Sequence, residues 1–237
     1  METGFELRWF YAGTPPKSLE TWFDRKAKDW HSTARALASE LPEPRRSSPR
    51  NELHLLARGR EDLSLKVREG RVELGFRLKD GDKIASESAD FSGLLEPWAR
   101  WRWRYGDKDP EIAAVDAAFL ASSRDRICVT KARTTLKYEI ESSEELRPIP
   151  PGPTELPSAT LELAVLKVAD KLDWWSVEIE LATQKINVSL VKQLLAGYGA
   201  EPRLSSDHSY SYPRWLSNMY KVLGAKEQTT SYRVRGT

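Results

Sequence analysis

The chain has 237 residues, of which 37 are Lys or Arg and 35 are Asp or Glu, so 30% of the residues are charged while the formal net charge is only +2. That balance argues against a protein that coats nucleic acid or anionic lipid, which needs a basic excess to neutralise phosphates. Hydrophobic residues make up 40%, including 9 Trp, 8 Tyr and 6 Phe, enough apolar surface for a packed core in one domain with short appendages.

Cys128 is the only cysteine, which excludes an intramolecular disulfide and a Cys-rich zinc or iron–sulfur centre. Met1 to Glu6 has neither a basic nor an apolar leader pattern, and no run approaches the roughly 18 apolar residues of a membrane helix. A cytoplasmic protein with no membrane partner is expected. Asn187-Val188-Ser189 then reads as a chance glycosylation sequon.

Period-2 alternation recurs along the chain. Phe5 to Tyr11 puts Glu6 and Arg8 on one face, Leu7 and Trp9 on the other. Helical spacing follows at Leu19, Trp22, Phe23, Ala27 and Trp30, behind Pro15-Pro16 and Ser18. Glu40 to Arg50 reads as a loop, and Leu53 to Leu56 as a short strand. Residues 62–78 read as a hairpin: Leu63, Leu65 and Val67 alternate with Ser64, Lys66 and Arg68, and Val72, Leu74 and Phe76 alternate with Glu73 and Arg77 after the Glu69-Gly70 turn. Trp101 and Trp103 alternate with Arg100, Arg102 and Arg104.

Ile112, Val115, Ala118 and Phe119 suit a second helix. In the strand pattern from Ile127 to Ile140, Lys131 and Arg133 share a face, with Lys137 and Glu139 sharing one farther on. A Pro-rich loop covers Arg147 to Pro157. Two more strands carry Leu161, Leu163 and Val165, then Trp175, Val177, Ile179 and Leu181, with Glu162, Glu178 and Glu180 opposite. Helical spacing returns at Val188 to Leu195 and again from Pro213, and the chain closes on a polar tail. The expectation is an α+β protein of one domain over residues 1–224, with a helical closing segment at 185–224, a tail at 225–237, and about eight antiparallel strands flanked by helices.

Each strand has one apolar and one charged face. Either the charged faces lie in water around a shared core, or the sheet closes into a barrel with charges inward and helices covering its outside. A lumen with both cations and carboxylates suits a polyphosphate, whose oxygens Arg and Lys clamp while Glu oxygens hold a divalent metal.

The chain resembles the CYTH-like, or triphosphate tunnel metalloenzyme, superfamily. The residues that carry the resemblance are Phe5-Glu6-Leu7-Arg8-Trp9, Leu65-Lys66-Val67-Arg68-Glu69 with Val72-Glu73-Leu74, Thr130-Lys131-Ala132-Arg133, and Ser176-Val177-Glu178-Ile179-Glu180-Leu181, in order from residue 5 to about residue 182. The resemblance implies an eight-stranded antiparallel tunnel that binds triphosphates with a metal. The family's opening Glu-x-Glu-x-Lys corresponds here to Gly4, Glu6 and Arg8, so one carboxylate is missing and lysine has become arginine, which stays protonated and cannot serve as a base.

Two functions follow as expectations. The first is metal-dependent hydrolysis of a triphosphate, with Arg8, Lys66, Arg68, Arg77, Arg100, Arg102, Lys131, Arg133 and Lys137 on the phosphates, and Glu6, Glu162, Glu178 and Glu180 holding Mg or Mn. Glu178 and Glu180 would be the catalytic pair, with Glu73 a further tunnel carboxylate. The second is a non-catalytic barrel that holds a triphosphate-containing small molecule or inorganic polyphosphate. A third reading, an RNA-binding module at Arg100 to Arg104, is disfavoured because alternation sends Trp101 and Trp103 to the face opposite the arginines. A homodimer stays open. His31, His54 and His208 read as ordinary surface or loop histidines, Cys128 as a small filler, Trp175 as packing under a helix, and Tyr210 to Trp215 as packing of the last helix on the barrel, with a residue of that segment as a candidate lining for one tunnel mouth.

Overall fold

Alternating residues make strands here because a pleated backbone sends successive side chains to opposite faces. The computed structural model describes residues 1–37, 46–57, 59–86, 90–104, 126–142, 145–149, 157–183 and 188–234, with the backbone alone at 36, 37, 142 and 224–234. The strands are β1 (Glu2–Ala12), β2 (Arg50–Leu55), β3 (Leu63–Arg68), β4 (Arg71–Arg77), β5 (Asp82–Ser86), β6 (Phe91–Arg104), β7 (Arg126–Ser142), β8 (Glu145–Pro148), β9 (Ser158–Val168) and β10 (Leu172–Ala182). The helices are α1 (Lys17–Leu37), α2 (Val188–Leu194) and α3 (Tyr212–Val234), with a 3₁₀ turn at Ser206–His208.

The hairpin read at residues 62–78 is β3–β4, and its turn shows why the pair Glu69-Gly70 signals it. Both residues take positive φ, 50° and 71°, the backbone of the tight hairpin turns that match strand twist. Eight strands close on themselves in the order β1-β10-β9-β7-β2-β3-β4-β6, and β6 returns to β1 from Glu2↔Arg100 to Leu7↔Leu95. All pairs are antiparallel. β5 adds to the edge of β6 and β8 to β7, outside the ring. The fold is an α+β barrel, and of the two arrangements left open by alternation the closed one is present.

Closure divides the apolar residues into an outer layer and a floor. Leu7, Trp9, Tyr11, Leu161, Leu163, Trp175, Val177 and Ile179 point outward and pack under Leu19, Trp22, Phe23 and Trp30 of α1 and Leu190, Val191 and Leu194 of α2. The indoles are also satisfied: Trp9 Nε1 donates to Ser92 O at 2.8 Å and Trp30 Nε1 to Lys137 O at 2.7 Å. On the inner face, Phe10, Ile127, Val129, Ala164 and Leu166 gather with Tyr212, Trp215, Leu216 and Met219 of α3. Phe10 stacks on Trp215 at 4.4 Å, so the start of α3 closes one end of the barrel.

A third cluster lies outside β2, β3 and β4, where Leu65 and Val72 pack with Leu53, Leu55, Val67, Leu74 and Trp103. Trp101 meets Phe76 edge-on and stays 37% exposed. The helix expected over Ile112 to Phe119 lies outside the described residues. α3 runs to Val234, past the point where the sequence turns polar, and the strand read at Leu53 to Leu56 starts earlier, at Arg50.

The two exposed extremes of the aromatic layer predict opposite outcomes. Trp175→Ala, at a side chain 2% exposed and stacked on Tyr11 at 4.4 Å, is expected to lower unfolding free energy by about 3–5 kcal/mol in urea titration. Trp101→Ala, at 37% exposure, is expected to cost about 1 kcal/mol or less.

Candidate functional site

The face opposite the outer apolar layer carries the charges into the lumen. β1 contributes Glu6 and Arg8, β10 Glu178 and Glu180, β9 Glu162, β7 Lys131, Arg133 and Lys137, β3 Lys66 and Arg68, β4 Glu73 and Arg77, and β6 Arg100 and Arg102. Every phosphate- or metal-binding candidate named from the sequence thus falls on the inward face. The cations and carboxylates that alternation turns inward form one interleaved network.

The register explains the interleaving. Arg8 stands opposite Glu178, Lys66 opposite Glu73, and Glu73 opposite Arg102, favourable cross-strand pairs. Elsewhere like charges meet: Glu6 faces Glu180 and also Glu96, and Glu178 faces Glu162. Diagonal cations resolve each conflict. Arg100 bonds Glu6 and reaches Glu180 at 2.8 Å, while Lys131 and Arg133 reach Glu162 at 2.6 and 2.7 Å. Arg8 bonds Glu178 and lies 3.6 Å from Glu6, and Arg77 reaches Glu96 at 2.6 Å. Lys66 and Arg102 hold Glu73 at 2.9 and 2.6 Å, and Arg68 holds Glu52 at 3.1 Å.

Burial makes these pairs obligatory, since an unpaired charge away from water costs several kcal/mol. Desolvation alone would push the carboxyl of Glu178 up, but Arg8 and Lys131 outweigh it and hold it well below the usual range. Glu73, likewise opposed by burial, is held down at about 2 by Lys66 and Arg102. Glu52 is lowered by Lys66, His54 and Lys131 against its burial. Burial would lower Arg8 and Lys66, yet their carboxylate neighbours leave both raised.

The carboxylates expected to hold Mg or Mn do not fit such an ion in this arrangement. A divalent cation needs several oxygens converging with free lone pairs. Here Glu6, Glu162, Glu178 and Glu180 are each committed to arginine or lysine. No three His, Cys, Asp or Glu side chains among the described residues group to hold a metal. Nor can a carboxylate simply be introduced at position 4, where the resemblance expects one, because a Cβ at Gly4 would stand 2.6 Å from the carbonyl oxygen of Leu181.

The two ends of the lumen differ. At the end away from α3, Arg68, Arg71 and Arg104 stand in a row on β3, β4 and β6, beside Arg102, Glu2 and Glu180. Within the lumen lies a cavity of about 30 Å³ lined by Glu6, Arg8, Lys66, Glu73, Arg100 and Lys131 and, towards the closed end, by His54 and Tyr212.

Sequence reasoning missed Glu52, His54, Glu96 and Trp98. His54 is not a surface histidine: it is 2% exposed, 3.4 Å from Glu52, and stacked on Tyr212 at 4.8 Å. Burial lowers its pKa against the pull of Glu52. A strand starting at Arg50 rather than Leu53 would have placed both Glu52 and His54 on the inner face by alternation. Tyr212 belongs to the segment Tyr210 to Trp215 read as packing the last helix on the barrel, and it both packs there and lines the lumen cavity.

Acid stability follows from these shifts. Glu73, Glu178 and Glu52 titrate lower in the folded chain than their ordinary value of 4.5, so their stabilisation is complete above that pH and is lost as pH falls towards 2. His54, held below 6.5, refuses a proton that the unfolded chain accepts, so it adds an earlier loss under pH 6.5. The thermal midpoint is expected to fall in two limbs, and His54→Gln to remove the upper one. A midpoint that stays flat down to pH 3 would contradict the paired lumen.

No family model matches the sequence, and no curated protein is similar to it. Among solved structures, the chain is similar to the PH1819 protein of Pyrococcus horikoshii OT3, at 15% identity and a TM-score of 0.32, over 83% of this chain and 91% of that one.

Proposed function

We propose that the barrel is a divergent CYTH-like tunnel that binds an anion of the triphosphate or polyphosphate class, in this chain without metal-dependent turnover. The observation that carries this reading is the inward convergence of Arg8, Lys66, Arg68, Arg100, Arg102, Lys131 and Arg133 from four strands onto one lumen with an arginine row at one end. Guanidinium groups match phosphate oxygens in bidentate fashion and stay charged at any working pH.

The lumenal carboxylates act in this reading as internal counterions. They occupy the cations when no ligand is bound, so an entering anion binds by exchange. Glu180 and Glu2 at the mouth, with side chains 36% and 68% exposed, can turn out into water and release Arg100 and Arg102. Glu162 and Glu178 are buried, and stay with Lys131 and Arg8.

Metal-dependent hydrolysis is the second reading, favoured by the adjacency of Glu6 to Glu180 and of Glu178 to Glu162 in the register. It needs these carboxylates to give up their arginine and lysine partners. An RNA-binding face is the least supported, since Trp101 pairs with outward Leu74 while Arg100 and Arg102 point to carboxylates in the lumen.

Calorimetry with inorganic triphosphate, with and without Mn, tests the choice. Binding is expected without metal, weakening as salt rises, and no phosphate release is expected above a Glu178→Ala, Glu180→Ala control. Glu180→Gln separates the readings most sharply. As a displaced counterion its loss tightens triphosphate binding several-fold, whereas as a metal ligand its loss abolishes Mn-stimulated release.

A further inference from the structure

Like charges that face one another in the barrel are neutralised from within, except at one place. Arg68 stands opposite Arg71 and Arg71 opposite Arg104, so three arginines share one cross-strand row at the end away from α3. Like charges directly opposite one another on a sheet are destabilising. Where glutamates face one another, Arg100, Lys131 and Arg133 reach across to them. The arginine row has no such relief: Arg68 bonds Glu52 at 3.1 Å, while Arg71 and Arg104 form no ion pair with any described residue. Glu69, in the turn between Arg68 and Arg71, is held by Arg50 at 3.2 Å. Both unpaired arginines are exposed, so an anionic partner reaches them from solvent.

The outer side of the same wall is apolar. Val67, Val72 and Trp103 alternate with the three arginines and join the cluster on the opposite face. Trp101, two residues back from Trp103 on that face, is 37% exposed, with Phe76 edge-on to it at 5.8 Å. The wall therefore ends in a lip with guanidinium groups on its inner side and tryptophan on its outer side. Arg and Trp are among the residue types that most often carry the binding energy of protein interfaces. An extended polypeptide laid along such a lip sends alternate side chains to either side of it, so acidic residues meet the arginines while apolar ones meet the tryptophan. A phosphate chain has nothing to offer the outer side. Single-stranded nucleic acid needs rings and cations on one surface, and here alternation sets them on opposite faces.

We propose that this lip is a docking site for an extended acidic segment of a partner protein, with Arg71 and Arg104 on its carboxylates and Trp101 on its apolar side chains. The inference goes beyond the anion-binding reading above, since it shares the arginine row with that reading but does not depend on what the lumen holds. Guanidinium groups pair with carboxylates in bidentate fashion, which suits a row of exposed arginines to glutamate and aspartate. The free chain bears the repulsion within the row, and an acidic partner relieves it.

Calorimetry with four probes, a peptide alternating glutamate and leucine, polyglutamate, oligouridylate and inorganic triphosphate, tests the site in wild type, in the double variant Arg71→Ala, Arg104→Ala, and in Trp101→Ala. Wild type is expected to bind the alternating peptide more tightly than polyglutamate, and to lose affinity for both as salt rises. The double variant is expected to weaken the alternating peptide about tenfold or more, and to keep or raise the thermal midpoint of the free protein because facing like charges are removed. A purely structural row would lower the midpoint instead. Trp101→Ala is expected to weaken the alternating peptide about fivefold and to leave polyglutamate and triphosphate unchanged. No peptide binding, or peptide binding indifferent to both variants, overturns the docking site, and the anion-binding reading stands if triphosphate still binds. Oligouridylate bound more tightly than the peptide, and lost in the double variant, overturns the site in favour of a nucleic-acid face. If the peptide binds through these residues and triphosphate does not bind, the docking site stands and the anion-binding reading falls.

Discussion

The desolvation of charge inside a closed sheet is the constraint on which the rest of this structure depends. Closing eight strands takes the inner faces out of bulk water, and these carry glutamate, arginine and lysine rather than leucine and valine. Each charge must then find a partner within the lumen. Where the register sets glutamates against one another, as at Glu6↔Glu180 and Glu178↔Glu162, only a cation reaching diagonally makes the arrangement tenable. Arg100, Lys131 and Arg133 supply those reaches. The pairing also protects the register, because a slip of one residue would turn Leu7 and Trp9 inward and leave Arg8 outside without Glu178.

The outer architecture follows from the inner one. With charges inward, Trp9, Trp175, Val177 and Ile179 face out, and they need a cover that α1 and α2 provide from segments with a matching apolar stripe. The apolar inner residues Phe10, Ile127 and Leu166 fall at one end only, and α3 fills that end with Tyr212 and Trp215. The barrel is therefore asymmetric along its axis, apolar and closed at one end and arginine-rich at the other.

Alternation is a local property, and so the inward set could be read from it. Lys66 and Glu73 announce their shared face within a hairpin whose turn residues are written in the chain, and Glu178 and Glu180 do so within one strand. Partner choice is not local. Arg8 and Glu178 are 170 residues apart, and nothing in either neighbourhood says that the two charges will neutralise each other rather than serve a ligand separately. β5 and β8 escaped notice because five and four residues are too short to show a period. His54 and Tyr212 meet only because α3 enters the barrel, a tertiary event with no signature in either segment.

A lumen that neutralises itself changes what a ligand must do. In a barrel lined by cations alone, any small anion gains by entering. Here an anion gains only the difference between its own contacts with the arginines and those of the carboxylates it displaces, so a weak or singly placed charge has little advantage over Glu180. A chain of phosphates competes better, because one molecule supplies several acceptor oxygens at fixed spacing and replaces several counterions at once. In the proposed anion-binding reading, the ion-pair network that lets the barrel fold with its charges inside would also select among ligands, favouring those that match several arginines at once.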